Sequence, residues 1–390
     1  MTVVLVVPAC PHPFGDTAAK WFDVLIRELV RRGHRVDLVC ATEESDARIQ
    51  QSQCALSTVS GAGTLEVSFR RLVLSRHPIG RKLSSLRRPF SEIVQADGIR
   101  RAVEERLGRG YDVLHAEQLW SGWLIAGVPR SLLNVHHLEV IDREHDRPRS
   151  WRERKALWQM RRATAAILRR VPNVRFFSPR LSDRARAYAA SARHWIVPFA
   201  LDAAHYQPVP LVADPIVGLI GSMHWPPSRS AAERLITRVW PRVRAQVPRA
   251  RLIVAGWDAD RCLEAHAGVP GLELRANIAH PRDFFSRIAV MAYPPGRGSG
   301  MKIKVMEAMA YGVPVVTTAE GVEGLAVEPG VHAHVAEEDD RLADRIVELL
   351  RDRPAAERLR DAARALIVER YNPRIVVDGM IDIYREVAGQ

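Results

Sequence analysis

The feature that most constrains this 390-residue chain is a repeated unit. A short apolar run is followed by a stretch with apolar residues at helical spacing, then by another apolar run. Two such series are separated by a proline-rich break. In the first, residues 3–7 read as a buried strand. Residues 18–32 then place Trp21, Phe22, Leu25, Ile26 and Leu29 on one face of a helix. Gly33 is a natural helix stop, and residues 35–40 read as the second strand. Further strands are expected at 113–115, 132–136, 174–177 and 194–197. The break, 198–202 with 207–215, has no periodic pattern and reads as an interdomain linker.

The second series restarts at 216–221 and predicts a helix at 231–239, strands at 251–255 and 288–293, a helix at 302–311 and a strand at 314–317. Two helices over 339–370 and a last one over 373–387 complete it. Such alternation predicts parallel sheets flanked by helices. The length exceeds what one core usually supports. The expectation is therefore two doubly wound α/β domains with a cleft between them: residues 1–205, and residues 206–372, with a C-terminal helix 373–390 crossing back onto the first. In such sheets ligands sit beyond the carboxyl ends of strands, so the residues just after each strand are the candidates for chemistry.

Composition narrows the function classes. Hydrophobic residues make up 47% and charged residues 26%, ordinary for a globular enzyme. Cys10, Cys40, Cys54 and Cys262 show no C-x-x-C spacing, which argues against a zinc ribbon or a disulfide scaffold and suits a reducing cytoplasm. The opening residues lack a basic segment and their apolar run is too short for a signal peptide. No run approaches the roughly 20 apolar residues that span a bilayer. The expected location is the cytoplasm, including the inner face of the membrane as a peripheral protein. The net charge of +12 comes largely from arginine, dense over 70–109 and 143–170. Those arginines can be solvated surface, or they can face an anionic partner such as a membrane or a phosphorylated substrate. They are not interleaved with stacking aromatics and no zinc-finger spacing accompanies them, so nucleic acid is not an expected partner.

The segment from Tyr293 to Thr317 is the richest in chemistry. Gly296, Gly298 and Gly300 allow a backbone to approach a ligand closely. A helix is expected to begin at once, presenting free N–H groups and a positive dipole end. Lys302 and Lys304, placed in its first turn, are each disfavoured there by roughly 0.3–1 kcal/mol without an anion. A diphosphate would supply one. Glu307, a turn past Lys304, is placed to accept hydrogen bonds from sugar hydroxyls. The Gly-x-Gly-x-Gly spacing is neither a dinucleotide fingerprint nor a phosphate-binding loop of an NTPase, and no glycine triplet follows the first strand. Asp258 and Asp260 directly follow a strand. Asp258 reads first as a helix N-cap, and the pair also has the D-x-D form of a metal–diphosphate site. Residues His136, His137, Asp142, Glu144, His145 and Asp146 cluster in sequence, but their spacing fits no regular zinc or iron motif. No metal or other cofactor is expected.

The stretch Gly298-Ser299-Gly300-Met301-Lys302-Ile303-Lys304 through Glu307, Ala308 and Gly312-Val313-Pro314 to Thr318, with Gly321 and Gly324, closely resembles the C-terminal signature of family-4 retaining glycosyltransferases of the GT-B fold, the group 1 glycosyl transferases. Gly221, Ser222 and the following residues to Pro227 resemble the loop that opens the donor domain. Residues 198–202 stand where many members have a Pro-Asn-Gly-Val-Asp turn. Gly33-His34-Arg35-Val36 resembles the end of the first helix. The resemblance runs over nearly the whole chain and is specific in the C-terminal half.

The resemblance implies a GT-B enzyme with a sugar nucleotide (a UDP-, GDP-, ADP- or dTDP-sugar) in the C-terminal domain, an acceptor in the N-terminal domain, and transfer with retention. By position, Glu307 matches the glutamate that holds the donor ribose, and Lys302 and Lys304 match residues that contact the diphosphate. Gly298, Ser299, Gly300 and Met301 would contact the donor. Ser299 stands where many members carry a further glutamate, so those contacts would run mainly through backbone N–H groups. A basic pair common after the first C-terminal strand is missing from 221–224. His136, with His137 as its neighbour, resembles the strand-end histidine that touches the transferred sugar, and Gly15 and Asp16 resemble the acceptor-side loop. The expected acceptor is a lipid-linked saccharide or a small-molecule aglycone. A sugar-nucleotide epimerase or hydrolase on the same fold, and a non-catalytic polyanion- or membrane-binding protein, are the alternatives.

Overall fold

A computed structural model describes residues 1–72, 90, 92–143 and 150–389. The chain divides into two compact units, Met1–Ala200 with Pro373–Gln390, and Leu201–Asn372.

The first unit is built on a seven-stranded sheet: β1 (Thr2–Val7), β2 (Arg35–Thr42), β3 (Thr64–Arg71), β4 (Val113–Glu117), β5 (Ser131–Val135), β6 (Asn173–Phe176) and β7 (Arg193–Ile196). The order is β3-β2-β1-β4-β5-β6-β7, with every pairing parallel. Val3 to Val7 are fully buried, which is why β1 is apolar without alternation: helices cover both faces. Each such side chain contributes about 1.5–3 kcal/mol by leaving water. Helix α1 (Thr17–Arg31) buries the predicted face, Trp21, Phe22, Leu25, Ile26 and Leu29. It starts where the Asp16 carboxylate accepts from the Ala19 amide at 2.9 Å and stops at Gly33, whose φ is 83°. Helix α2 (Trp151–Leu168) buries Met160, Ala163, Thr164, Ile167 and Leu168. The C-terminal helix Pro373–Ala388 adds Val376, Val377, Met380, Ile381 and Tyr384 to the buried interior.

The second unit carries a six-stranded sheet: β8 (Ile216–Ile220), β9 (Arg251–Gly256), β10 (Leu272–Ala276), β11 (Val290–Tyr293), β12 (Val315–Thr317) and β13 (His334–Val335), in the order β10-β9-β8-β11-β12-β13. Helix α3 (Pro226–Arg234) has its two prolines in the first turn, where their missing N–H groups cost nothing. It runs on through a π-helical turn, Leu235–Val239, into Trp240–Gln246, so the element expected at 231–239 extends in both directions. Helix α4 spans Ile303–Tyr311 and ends at Gly312, φ 72°. These two sheets fit the two-domain, Rossmann-like α/β fold expected above.

Three strands escaped the sequence reading. β3 and β10 lie at sheet edges. β3 alternates half-buried Leu65, Val67 and Phe69 with polar residues, and β10 alternates Leu272 and Leu274 with Glu273 and Arg275. β13 has two residues. The segment expected as a patternless linker is held down. Phe199 packs on Trp21 with ring centroids 5.8 Å apart. The Leu201 amide donates to the Tyr371 carbonyl at 2.8 Å and the Val209 amide to the Tyr311 carbonyl at 2.8 Å. Its prolines mark an irregular path over packed surface. Among the described residues no helix is long and apolar enough to cross a membrane.

Candidate functional site

In the C-terminal unit the strand order reverses between β8 and β11, since β9 lies on one side of that pair and β12 on the other. A crevice opens at the carboxyl ends of strands at such a point. The loop after β8 and the loop after β11 meet there. A Cβ on Gly298 (φ 130°) would come within 3.2 Å of Pro227 Cβ, and one on Gly221 within 2.7 Å of Lys304 Nζ. At the neighbouring strand end, a Cβ on Gly256 would come within 2.0 Å of the Gly221 carbonyl oxygen. The loops are therefore packed closely at these glycines, and a side chain on any of the three would displace a neighbour. Ser222 is half-buried, Ser299 and Gly300 are buried, and Met301 is half-buried.

The two lysines differ. Lys302 is the residue before the helix rather than part of its first turn. It is fully buried, its ammonium donating to the Gly300 carbonyl and lying 3.7 Å from Glu323 Oε2. The expectation that both lysines need an external anion is corrected here: Lys302 has a carboxylate beside it and braces the glycine loop. Lys304 is in the first turn of α4. Its ammonium donates to Ser228 Oγ, 4.6 Å above the Tyr293 ring and 5.0 Å from that of Trp225. No carboxylate forms an ion pair with it among the described residues. Burial, with the Lys302 charge second, pulls it down to about 7, and Glu307 opposes both only in part. Glu307 is buried and accepts from the Tyr206 hydroxyl at 3.1 Å, which orients its carboxylate.

Asp258 does not cap a helix with its side chain. At φ 53° it turns its carboxylate to His224, Nε2 to Oδ2 at 2.7 Å. Among the described residues no group of His, Cys, Asp and Glu is placed to hold a metal ion. Glu144, His145 and Asp146 lie outside the described residues.

In the N-terminal unit the order reverses between β1 and β4. Gly15 and Asp16 follow β1 and, with Cys10, His12 and Arg48, line a cavity of about 260 Å³. Gly15 is needed there because a Cβ would sit 2.6 Å from that of Ala19. A larger cavity, about 530 Å³, lies between β3 and residues 53–63 and touches none of the candidates.

His136 stands just after β5 as one member of a buried network. Register aligns Glu117 with Asn134 and Asn134 with Arg175 across β4, β5 and β6. The Glu117 carboxylate accepts from Trp21 Nε1 at 2.8 Å, from Asn134 Nδ2 at 2.6 Å and from His136 Nε2 at 2.7 Å. His115 Nε2 is 3.2 Å from its other oxygen, and His115 Nδ1 is 2.6 Å from the Tyr384 hydroxyl. The Arg175 guanidinium stacks 4.0 Å from the Phe177 ring centroid and 4.3 Å from that of Trp21, and donates to the Pro198 carbonyl at 2.8 Å. Burial alone would raise the Glu117 pKa. His115, the His136 hydrogen bond and Arg175 instead hold it at about 2. Burial lowers His115 to about 4 against the pull of Glu117, and lowers Arg175 to about 9. At neutral pH Glu117 is thus ionised and His115 neutral. The neighbouring His137 is exposed.

Residues 214–352 match the family model for Glycosyl transferases group 1. The chain carries a group 1 glycosyl transferase domain. That domain, on this fold, makes it a transferase enzyme. Solved structures similar to this glycosyltransferase span it almost end to end. Sucrose-phosphate synthase from Thermosynechococcus elongatus is 19% identical with a TM-score of 0.71, the alignment covering 100% of this chain and 99% of that one. HepE from Anabaena, in complex with UDP and glucose, is 15% identical with a TM-score of 0.66, covering 99% and 100%. WaaG, a glycosyltransferase involved in lipopolysaccharide biosynthesis, is 13% identical with a TM-score of 0.64, covering 98% and 99%. At such identities they establish the fold. No curated protein matches the sequence.

The glycosyltransferase thus brings Gly221, Gly298, Lys302 and Lys304 together around one loop pair in its C-terminal unit. Gly15 and Asp16 sit after β1 of the N-terminal sheet, and His136 after β5. Sequence reasoning missed Glu117, His115 and Arg175. The signal was a charged or titratable residue inside an otherwise apolar buried strand, which is rare unless it is paired.

Proposed function

We propose that this enzyme moves a sugar from a nucleotide-diphosphate sugar to an acceptor hydroxyl with retention of anomeric configuration. The observation that carries the reading is Lys304, a cation with no carboxylate paired to it among the described residues, at the strand-order reversal of a group 1 domain. Residues 206–372 would hold the donor and residues 1–205 the acceptor. Glu307, oriented by Tyr206, takes the ribose hydroxyls. Backbone N–H groups of Gly298, Ser299, Gly300 and Met301, with the start of α4, face the diphosphate. Lys302 supports that loop from beneath, and Gly221 and Ser222 line the facing side.

As the bond from the anomeric carbon to the diphosphate oxygen breaks, Lys304 and the helix end stabilise the charge gathering on the leaving group, the logic of an oxyanion hole. The acceptor oxygen bonds to that carbon on the face just vacated. Its proton passes to a phosphate oxygen. With the charge met by Lys304 and backbone dipoles, no metal is required, and activity should survive a chelator. His136, its ring oriented by Glu117, is the N-terminal unit's candidate for contacting the transferred sugar, with Gly15 and Asp16 bordering the acceptor. HepE was solved with UDP and glucose, which makes a UDP-sugar the first donor to try. The role of WaaG in lipopolysaccharide biosynthesis favours a cell-surface saccharide or glycolipid acceptor over a small aglycone.

The test is a thermal-shift panel of UDP-, GDP-, ADP- and dTDP-sugars on wild type and Glu307→Ala. A site filled at 100 times its dissociation constant adds about 2.7 kcal/mol of stability. One nucleotide class should stabilise the wild type and do so less in the variant. No shift with any nucleotide would sink the reading. Consumption of donor with no acceptor present would replace it with an epimerase or hydrolase.

A further inference from the structure

Helix α2 carries its second pattern on the outside. Trp151 and Trp158 are 63% and 54% exposed, an unusual position for the largest apolar side chain. At 3.6 residues per turn, positions 151, 155, 158, 162 and 169 fall within roughly 60° of one another. That line reads Trp151, Lys155, Trp158, Arg162 and Arg169, all exposed. The buried residues Met160, Ala163, Thr164 and Ile167 lie on the opposite side, so the stripe is not a misplaced core face. Arg162 lies 4.7 Å over the Trp158 ring and Arg152 5.6 Å from that of Trp151. Around the stripe Arg152, Arg154, Lys155, Arg161 and Arg162 outnumber the one acid, Glu153, and all are exposed. The α2 stripe is about 27 Å long.

We propose that this face of α2 docks the protein on an anionic lipid surface, with the two indoles at headgroup level and the flanking cations on lipid phosphates. Tryptophan is amphipathic and favours the interface between water and hydrocarbon. Lysine and arginine lay their stems along apolar surface while their charges stay in water. A helix with an apolar-aromatic line flanked by cations lies in the interfacial plane, held by apolar area together with attraction to acidic headgroups. An acidic protein partner would match the cations but gives no reason for two indoles in line with them. The proposal does not depend on the transferase reading. It moves the contact from residues 70–109, where the arginine count alone would put it, to one helix face.

The experiment is co-sedimentation of the full chain with phosphatidylcholine vesicles, with and without phosphatidylglycerol, at low and high salt. Wild type should bind the acidic vesicles, and salt should weaken that binding. Each cation near such a surface is worth about fivefold, so Lys155→Ala with Arg162→Ala should weaken binding about 30-fold. Trp151→Ala with Trp158→Ala should weaken it by about tenfold or more. All four residues are exposed, so the variants should keep the wild-type melting temperature and any sugar-nucleotide shift. The proposal is overturned if wild type ignores acidic vesicles, or if phosphatidylglycerol makes no difference. It is equally overturned if both double variants bind like wild type while Arg70→Ala with Arg71→Ala does not, or if polyglutamate captures the chain and vesicles do not. Vesicle binding by a chain that takes up no sugar nucleotide would remove the transferase reading and leave this one standing.

Discussion

The two units carry polar clusters of opposite kinds. In the N-terminal unit the Glu117 carboxylate is enclosed by Trp21, Asn134, His136 and His115, with Arg175 close enough to lower its pKa. In the C-terminal unit Lys304 stands on a hydroxyl and two aromatic rings, with no carboxylate paired to it among the described residues. A buried carboxylate shared among several donors holds them in place before any ligand arrives. A half-buried cation short of a counter-charge costs stability until an anion fills the place. The first cluster should therefore govern folding and the second should govern affinity.

The largest expected effect breaks the Glu117 cluster. Glu117→Ala leaves buried partners stranded and should destabilise the protein by about 3–5 kcal/mol in urea unfolding. Acid sharpens the same point. The folded pKa values of Glu117 (about 2) and His115 (about 4) both lie below their ordinary ones of 4.5 and 6.5. The unfolded chain then binds more protons, so both contributions are present at neutral pH and lost as pH falls. His115 alone should remove about 3 kcal/mol between pH 6.5 and 4, and His115→Phe should flatten that part of the profile. Next comes Lys304→Met, which should weaken sugar-nucleotide binding about 10- to 100-fold by titration calorimetry while leaving the urea midpoint unchanged or higher. Smaller still, Tyr206→Phe removes one hydrogen bond that orients the Glu307 carboxylate and should weaken nucleotide binding by about 0.5–1.5 kcal/mol.

The contrast also explains what could be read in advance. The glycine loop and its lysines were legible because close backbone approach and helix-end charge are written in consecutive residues, 296–307. The pairing of Lys302 with Glu323 was not, because the two are brought together by the turn after β12. The Glu117 network comes from three strands and two helices, and only the register of β4, β5 and β6 aligns it. The central strands announced themselves as unbroken apolar runs. The edge strands β3 and β10 face water on part of their surface and so carry Glu66, Arg70, Glu273 and Arg275, which dilute the pattern.

The central claim is that Lys304 waits for the diphosphate of a sugar nucleotide. Its ammonium sits near pKa 7 in the free protein, and a bound diphosphate would raise that value. Binding must then take up a proton above pH 7. Calorimetry of the best nucleotide at pH 8, in buffers of different ionisation enthalpy, measures that uptake directly. The account predicts close to one proton taken up by wild type and none by Lys304→Met. Equal affinity and no proton uptake in both proteins would contradict it.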